Sequence, residues 1–199
     1  MQSLYEIETV VKRSARAKGL SWGMAEEIAK AVRILEQSLL PGLESFKRLV
    51  DLDLTSFNPI QNPLNDEKLT KICPIHFGVF FLDNLHNKQF QKQFSFLEIY
   101  EPLLLLPFLK RSANKNLLNI KFNSKEINFN LSPGEIISLS NQQFPHIATK
   151  ITLDFSTSRS PQYSQSTWDE LYELSLETFV EETEEKKLSG AGAGLTDND

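Results

Sequence analysis

The stretch Leu118-Asn119-Ile120-Lys121-Phe122-Asn123-Ser124-Lys125-Glu126-Ile127-Asn128-Phe129-Asn130-Leu131 decides the fold class. Apolar residues at 118, 120 and 122 alternate with polar ones. The turn-forming Asn123-Ser124-Lys125 follows, and Ile127, Phe129 and Leu131 alternate again. A period of two on both arms predicts a hairpin with one buried face. Upstream, Phe94–Tyr100 reads as another strand. Downstream, Pro133-Gly134 marks a turn, and residues 147–155 supply a strand with Ile151, Leu153 and Phe155 on one side. Between the first strand and the hairpin, Pro107 rules out a regular strand over 102–113 and predicts a short helix after it.

Further out the pattern is helical. Ser3-Leu4-Tyr5-Glu6 is a capping box, in which the Ser and Glu side chains satisfy backbone donors at a helix start. Leu4, Ile7, Val10, Val11 and Ala15 form the predicted apolar face, and Gly19 a left-handed stop. Ser21 caps a second helix through Ala25, Ile28, Ala29, Val32, Leu35 and Leu39 up to Pro41-Gly42, with Glu26 and Lys30 as an i,i+4 pair. A shorter helix is predicted over 43–54 and a loop over 58–66. Residues 72–85 carry both patterns. Ile75, Phe77, Val79 and Phe81 alternate, yet Pro74 stands at a helix-starting position, and the helical reading is adopted. Thr167-x-x-Glu170 predicts a last helix running to about Val180. The expected fold is therefore α+β: an N-terminal helical pair, a mainly antiparallel sheet, a C-terminal helix and a Gly-rich tail. Residues 1–180 form one expected domain, and 181–199 an acidic, then Gly/Ala-rich, tail.

The chain has 199 residues, 40% of them apolar, enough for one core. The longest apolar run, Leu103 to Leu106, lies between two prolines and is far short of a membrane span. No basic segment leads into an apolar one at the N-terminus, so the expected address is the cytoplasm. One cysteine, Cys73, excludes an internal disulfide and a zinc ribbon. A net charge of -5 argues against nucleic-acid binding. From Asp169 onward ten acids face only Lys186 and Lys187, a net -8 that leaves residues 1–168 at +3.

Lys12, Arg13 and Arg16 share one side of the first helix; they either compensate its dipole or form an anion site, and composition does not separate the two. Trp22, at the mouth of helix 2, plugs the gap between helices or binds a ligand. Glu26 and Glu27 point about 100° apart and read as surface charges. Cys73 and His76 could form a dyad only on a helix, and a buried inert thiol is the favoured reading. A metal site would need all three histidines to converge, and none is expected. Gly190 to Gly194 follow no strand and open no helix, so they match no dinucleotide fingerprint. Alternating Gly and Ala let a backbone pass through a narrow slot, and Asp197, Asp199 and the terminal carboxylate concentrate negative charge.

Three strings carry a resemblance: Ala15 through Glu27, which contains Trp22-Gly23-Met24-Ala25-Glu26-Glu27; Leu103 through Leu109; and Gly190 through Asp199. Together with Cys73-Pro74 they resemble a family of bacterial proteins filed as a domain of unknown function. The resemblance implies no activity or cofactor. It does imply weight on Trp22, Glu26, Cys73 and the tail, since family-specific strings on loops and termini seldom serve packing alone. Two readings follow. One is an accessory or binding protein whose tail, with Gly190, Gly192, Gly194, Thr196, Asp197 and Asp199, recognises a protein partner or folds over its own helical pair, where Arg13, Arg16, Ser21, Trp22 and Glu26 stand. The other is a small hydrolase or lyase with a pocket lined by Trp22, Glu26, Cys73 and tail carboxylates, with a divalent cation on Asp197 and Asp199 as an option. The first is favoured, because no Ser-His-Asp set, metal motif or phosphate loop supports the second.

Overall fold

In the computed structural model, residues 2–54, 57, 70–91, 93–135, 144–158 and 163–178 are described. The chain divides into two compact units, 1–159 and 160–199. The expected 58–66 loop and the Gly-rich tail lie outside the described residues, and the expected division at 180 falls inside the second unit.

In the first unit, α1 (Leu4–Ala17) starts at the expected capping box. Ser3 Oγ accepts from the Glu6 N–H and the Glu6 carboxylate accepts from the Ser3 N–H. Gly19, at φ 90°, turns the chain into α2 (Trp22–Gln37), whose Ser21 cap accepts from the Met24 N–H. Helix α2 is the central helix. It packs against α1, α3 (Gly42–Asp51), α4 (Pro74–Asn84) and α5 (Leu106–Asn116), and Ala25, Ile28, Ala29, Ala31, Val32 and Leu35 are all fully buried. Small residues on α2 let its neighbours approach closely, while Ile28, Val32 and Leu35 supply the apolar area.

Three details of the helical pair differ from expectation. Helix α2 stops at Gln37, so Leu39 does not continue its apolar face: it takes a left-handed backbone, φ 57°, and is 94% exposed. Val10 is 59% exposed, because the buried stripe of α1 is Ile7, Val11 and Ala15 at i, i+4, i+8, and Val10 stands about 100° off it. Glu26 does not pair with Lys30. It reaches across to Lys12 on α1 at 3.7 Å, and Lys30 turns to Glu27 at 2.9 Å.

Residues 74–84 are helical, as adopted. Pro74 occupies the first turn, where its missing N–H has no partner to lose, and Cys73 is the N-cap. The helix after the first strand is longer than expected. A 3-10 turn over Pro102–Leu105 runs directly into α5, and Pro107 sits in that helix's first turn, where it is tolerated. Gly78 of α4 is held to glycine by packing, since a Cβ there would stand within 2.8 Å of three atoms of the Phe108 ring of α5.

The sheet is antiparallel throughout, in the order β1 (Phe94–Tyr100), β4 (Ile147–Thr157), β2 (Leu118–Asn123), β3 (Asn128–Leu131). In the hairpin, Phe122 and Phe129 pair across strands with rings stacked at 4.4 Å. At its turn, Ser124 Oγ accepts from the Ile127 N–H at 2.9 Å and donates to the Ile127 carbonyl at 2.7 Å. The alternation of β1 and β4 changes phase at one level. Phe94 and Phe96, opposite Leu153 and Ile151, are buried, as are Ile99 and its partner Ala148 three positions on. Lys150, at φ 52°, makes that change in β4. Phe77 and Phe81 of α4 meet Phe96 and Phe94 edge-on at 4.9 and 5.4 Å, which joins the helical layer to the sheet. Burying each such ring contributes about 1.5–3 kcal/mol.

In the second unit, α6 spans Gln165–Leu176. Its cap is Ser164, three residues before the expected Thr167. Ser164 Oγ accepts from the Thr167 N–H at 3.1 Å, so Thr167 occupies the third helical position. None of its residues is buried. No described helix is long and apolar enough to cross a membrane.

Candidate functional site

Three helices of the first unit meet around a cleft of about 690 Å³. Each presents one i, i+3/i+4 face to it. The first two turns of α2 bring Gly23, Glu26 and Glu27, with Ser21 and Met24 beside them. The end of α4 brings Val79, Leu82 and Asp83, and the end of α5 brings Arg111 and Lys115.

Glu27, read from sequence as a surface charge, is the best-anchored group of this cleft. Its side chain is 22% exposed, Oε1 accepts from Lys30 Nζ at 2.9 Å, and Oε2 accepts from Arg111 Nη1. Burial pushes its carboxyl up, but the hydrogen bonds from Arg111 and Lys30 outweigh that and hold it below the ordinary range. Arg111 is 84 positions away in sequence, so no local spacing could have announced the pair.

Of the sequence candidates, Ser21 and Glu26 line the cleft. Trp22 is 63% exposed and does not plug the interhelical gap; its ring lies under the Arg16 guanidinium, 4.7 Å from Cζ to centroid. Arg16 also donates to the Leu20 carbonyl. Arg13 is exposed without a hydrogen-bond or ion-pair partner among the described residues. The basic side of α1 is thus not gathered on one point, since Lys12, Arg13 and Arg16 have three different surroundings. Cys73 does not line the cleft. It is fully buried at the opposite end of α4, nine residues and roughly 13 Å along the axis from Leu82, and burial pushes its thiol up, away from the reactive thiolate. Gly190, Gly192, Gly194, Thr196, Asp197 and Asp199 lie outside the described residues.

A second cluster escaped the sequence reading. Glu101, 3% exposed, accepts from Arg48 Nε and Nη2, both at 2.8 Å, and its Oε1 stands 3.0 Å from His146 Nδ1. Its own N–H donates to the His146 carbonyl at 2.7 Å. The group ties α3 to the end of β1 and the start of β4.

The second unit offers a surface. On α6, Trp168, Leu171, Tyr172 and Leu176 fall on one side, each between 41% and 59% exposed. Asp169, Glu170, Glu173 and Glu177 take the other, and the helix has no basic residue.

Residues 2–87 match the model of a family described as "Protein of unknown function (DUF3726)". The resemblance read from the sequence holds over that stretch, which contains α1 to α4 and two of the three cleft walls. Leu103–Leu109 and Gly190–Asp199 lie beyond the matched residues. No curated protein matches the chain. No solved structure matches it either.

Proposed function

We propose that the protein is a non-catalytic cytoplasmic accessory protein that recognises a protein partner through its C-terminal segment, α6 together with the acidic and Gly-rich tail. The observation that carries this reading is the bare apolar side of α6. Four large apolar side chains at i, i+3, i+4 and i+8 are half in solvent, the spacing by which a helix seats in a groove. An uninterrupted acidic flank specifies the partner: an apolar groove rimmed by Lys and Arg, whose charges set approach rate and register. In the sequence, Glu181, Glu182, Glu184 and Glu185 follow. Cys73, buried with its thiol pushed up, favours recognition over thiol chemistry.

The test places a photo-crosslinking residue at position 172 of the full chain in cells, with position 39, 94% exposed on the first unit, as the control. A partner captured at 172 and not at 39 should bind the purified protein, weaken at least tenfold with Trp168→Ala plus Leu171→Ala, and weaken further with salt. Deleting residues 190–199 should reduce binding and leave unfolding unchanged. Equal capture at both positions, or full affinity in the double variant, overturns the reading.

A further inference from the structure

The cleft between α2, α4 and α5 has a chemistry of its own. Its central charges are already matched: Glu27 holds Arg111 and Lys30, and Glu26 holds Lys12. What remains is one cation and one anion on different walls. Lys115 of α5 and Asp83 of α4 are both exposed, and neither has a hydrogen-bond or ion-pair partner among the described residues. Met24, Val79 and Leu82, partly buried against the core, supply the apolar part of the lining. Arg111, with one arm fixed by Glu27, keeps further N–H donors beside Lys115.

Gly23 adds an independent observation. It sits within the first turn of α2, where glycine is less stable than alanine. Its backbone is not left-handed, and a Cβ would meet nothing within 4 Å. Neither conformation nor packing requires glycine there. What its missing side chain leaves open is the cleft, where a ligand can approach the helix backbone.

We propose that this cleft binds a small zwitterion of the α-amino acid or short-peptide class. The ligand carboxylate meets Lys115 and Arg111, its ammonium meets Asp83, and its side chain rests on Met24, Val79 and Leu82. The volume lies within the range of small-ligand sites. Three acids against two bases in the lining disfavour a polyanion such as a nucleotide.

The test titrates the full-length protein with the free proteinogenic amino acids and alanyl dipeptides by calorimetry and by ligand-observed NMR. Each binder is repeated as its N-acetyl and its carboxamide form. At least one zwitterion should saturate the protein, and loss of either ligand charge should weaken it tenfold or more. Lys115→Gln and Asp83→Asn should each weaken it similarly, and the charge-matched Lys115→Arg should restore most of the affinity. Gly23→Leu, which fills the cleft from open space, should abolish binding while the thermal midpoint stays or rises. The proposal is overturned if no probe binds at millimolar concentration, if the acetylated or amidated forms bind as well as the zwitterion, or if Gly23→Leu binds normally.

Discussion

Glu101 combines a left-handed backbone, φ 42°, with a buried carboxylate. An L residue in that conformation costs about 1–2 kcal/mol, so the position is held by what the side chain does. Its two oxygens take a forked pair of hydrogen bonds from Arg48, which is fixed in turn by donating to Ser45 Oγ at 3.0 Å. Removing the carboxylate takes from the half-buried Arg48 guanidinium both acceptors of its forked pair. Glu101→Ala should therefore lower the free energy of unfolding in urea by about 3 kcal/mol, the lower end for a broken buried pair because Arg48 is a third exposed. His146, whose side chain is 67% exposed, should cost less than about 1 kcal/mol on substitution by Ala. Two other residues contribute to the acid limb of stability. Burial lowers the His76 pKa from 6.5, so below that pH the unfolded chain takes up a proton that the folded one refuses, and stability falls as pH falls. His76→Gln should flatten the stability profile as pH falls below 6.5. Glu27 acts in a lower window. Its folded pKa is depressed below 4.5, so its contribution is complete above that value and is lost as pH falls through the folded pKa. Glu27→Gln should lose stability at neutral pH and show a shallower acid transition, read by circular dichroism.

At the level of elements, close packing is most exacting where α4 crosses α5. Gly78→Ala drives a methyl into the Phe108 ring and should cost about 1–3 kcal/mol, whereas Gly23→Ala, with open space ahead of it, should leave stability unchanged or raise it slightly. Helix starts were legible wherever a side chain writes the cap, as at Ser3 and Ser21, because a hydroxyl three residues before a backbone donor is a local signal. The last cap is ambiguous in the sequence for the same reason. Ser164 and Thr167 both carry hydroxyls, and the i+3 acid after Thr167 completes a capping-box pattern only for the later one. Val10 differs from its expected burial because a five-residue face of α1 cannot tell which of two adjacent valines its neighbour covers. The strands of the hairpin were legible from alternation alone. The change of phase in β4 was not, since nothing in Thr149-Lys150-Ile151 announces a left-handed lysine.

Across the whole molecule, the fold class and the helical pair could be read from sequence because period and capping act within a few residues. The charged centres could not. Glu27 meets a partner 84 positions away and Glu101 one 53 positions away, and such pairs exist only once the helices have met. Half of the cleft was visible as the Ser21 to Glu26 string, and the other half, Asp83, Arg111 and Lys115, had no motif to mark it. The placement of the two tryptophans gives the molecule an optical property. One indole belongs to each compact unit, both are exposed, and their electrostatic surroundings are opposite: Trp22 lies against the Arg16 guanidinium, and Trp168 is followed by Asp169 and Glu170. Ionic quenchers of fluorescence sense that difference, because a local field enriches the oppositely charged ion. Iodide should extinguish mainly Trp22 emission and caesium mainly Trp168 emission, with Trp22→Phe and Trp168→Phe each removing one response. Without any attached dye, the protein can then report separately on its helical core and on its C-terminal helix.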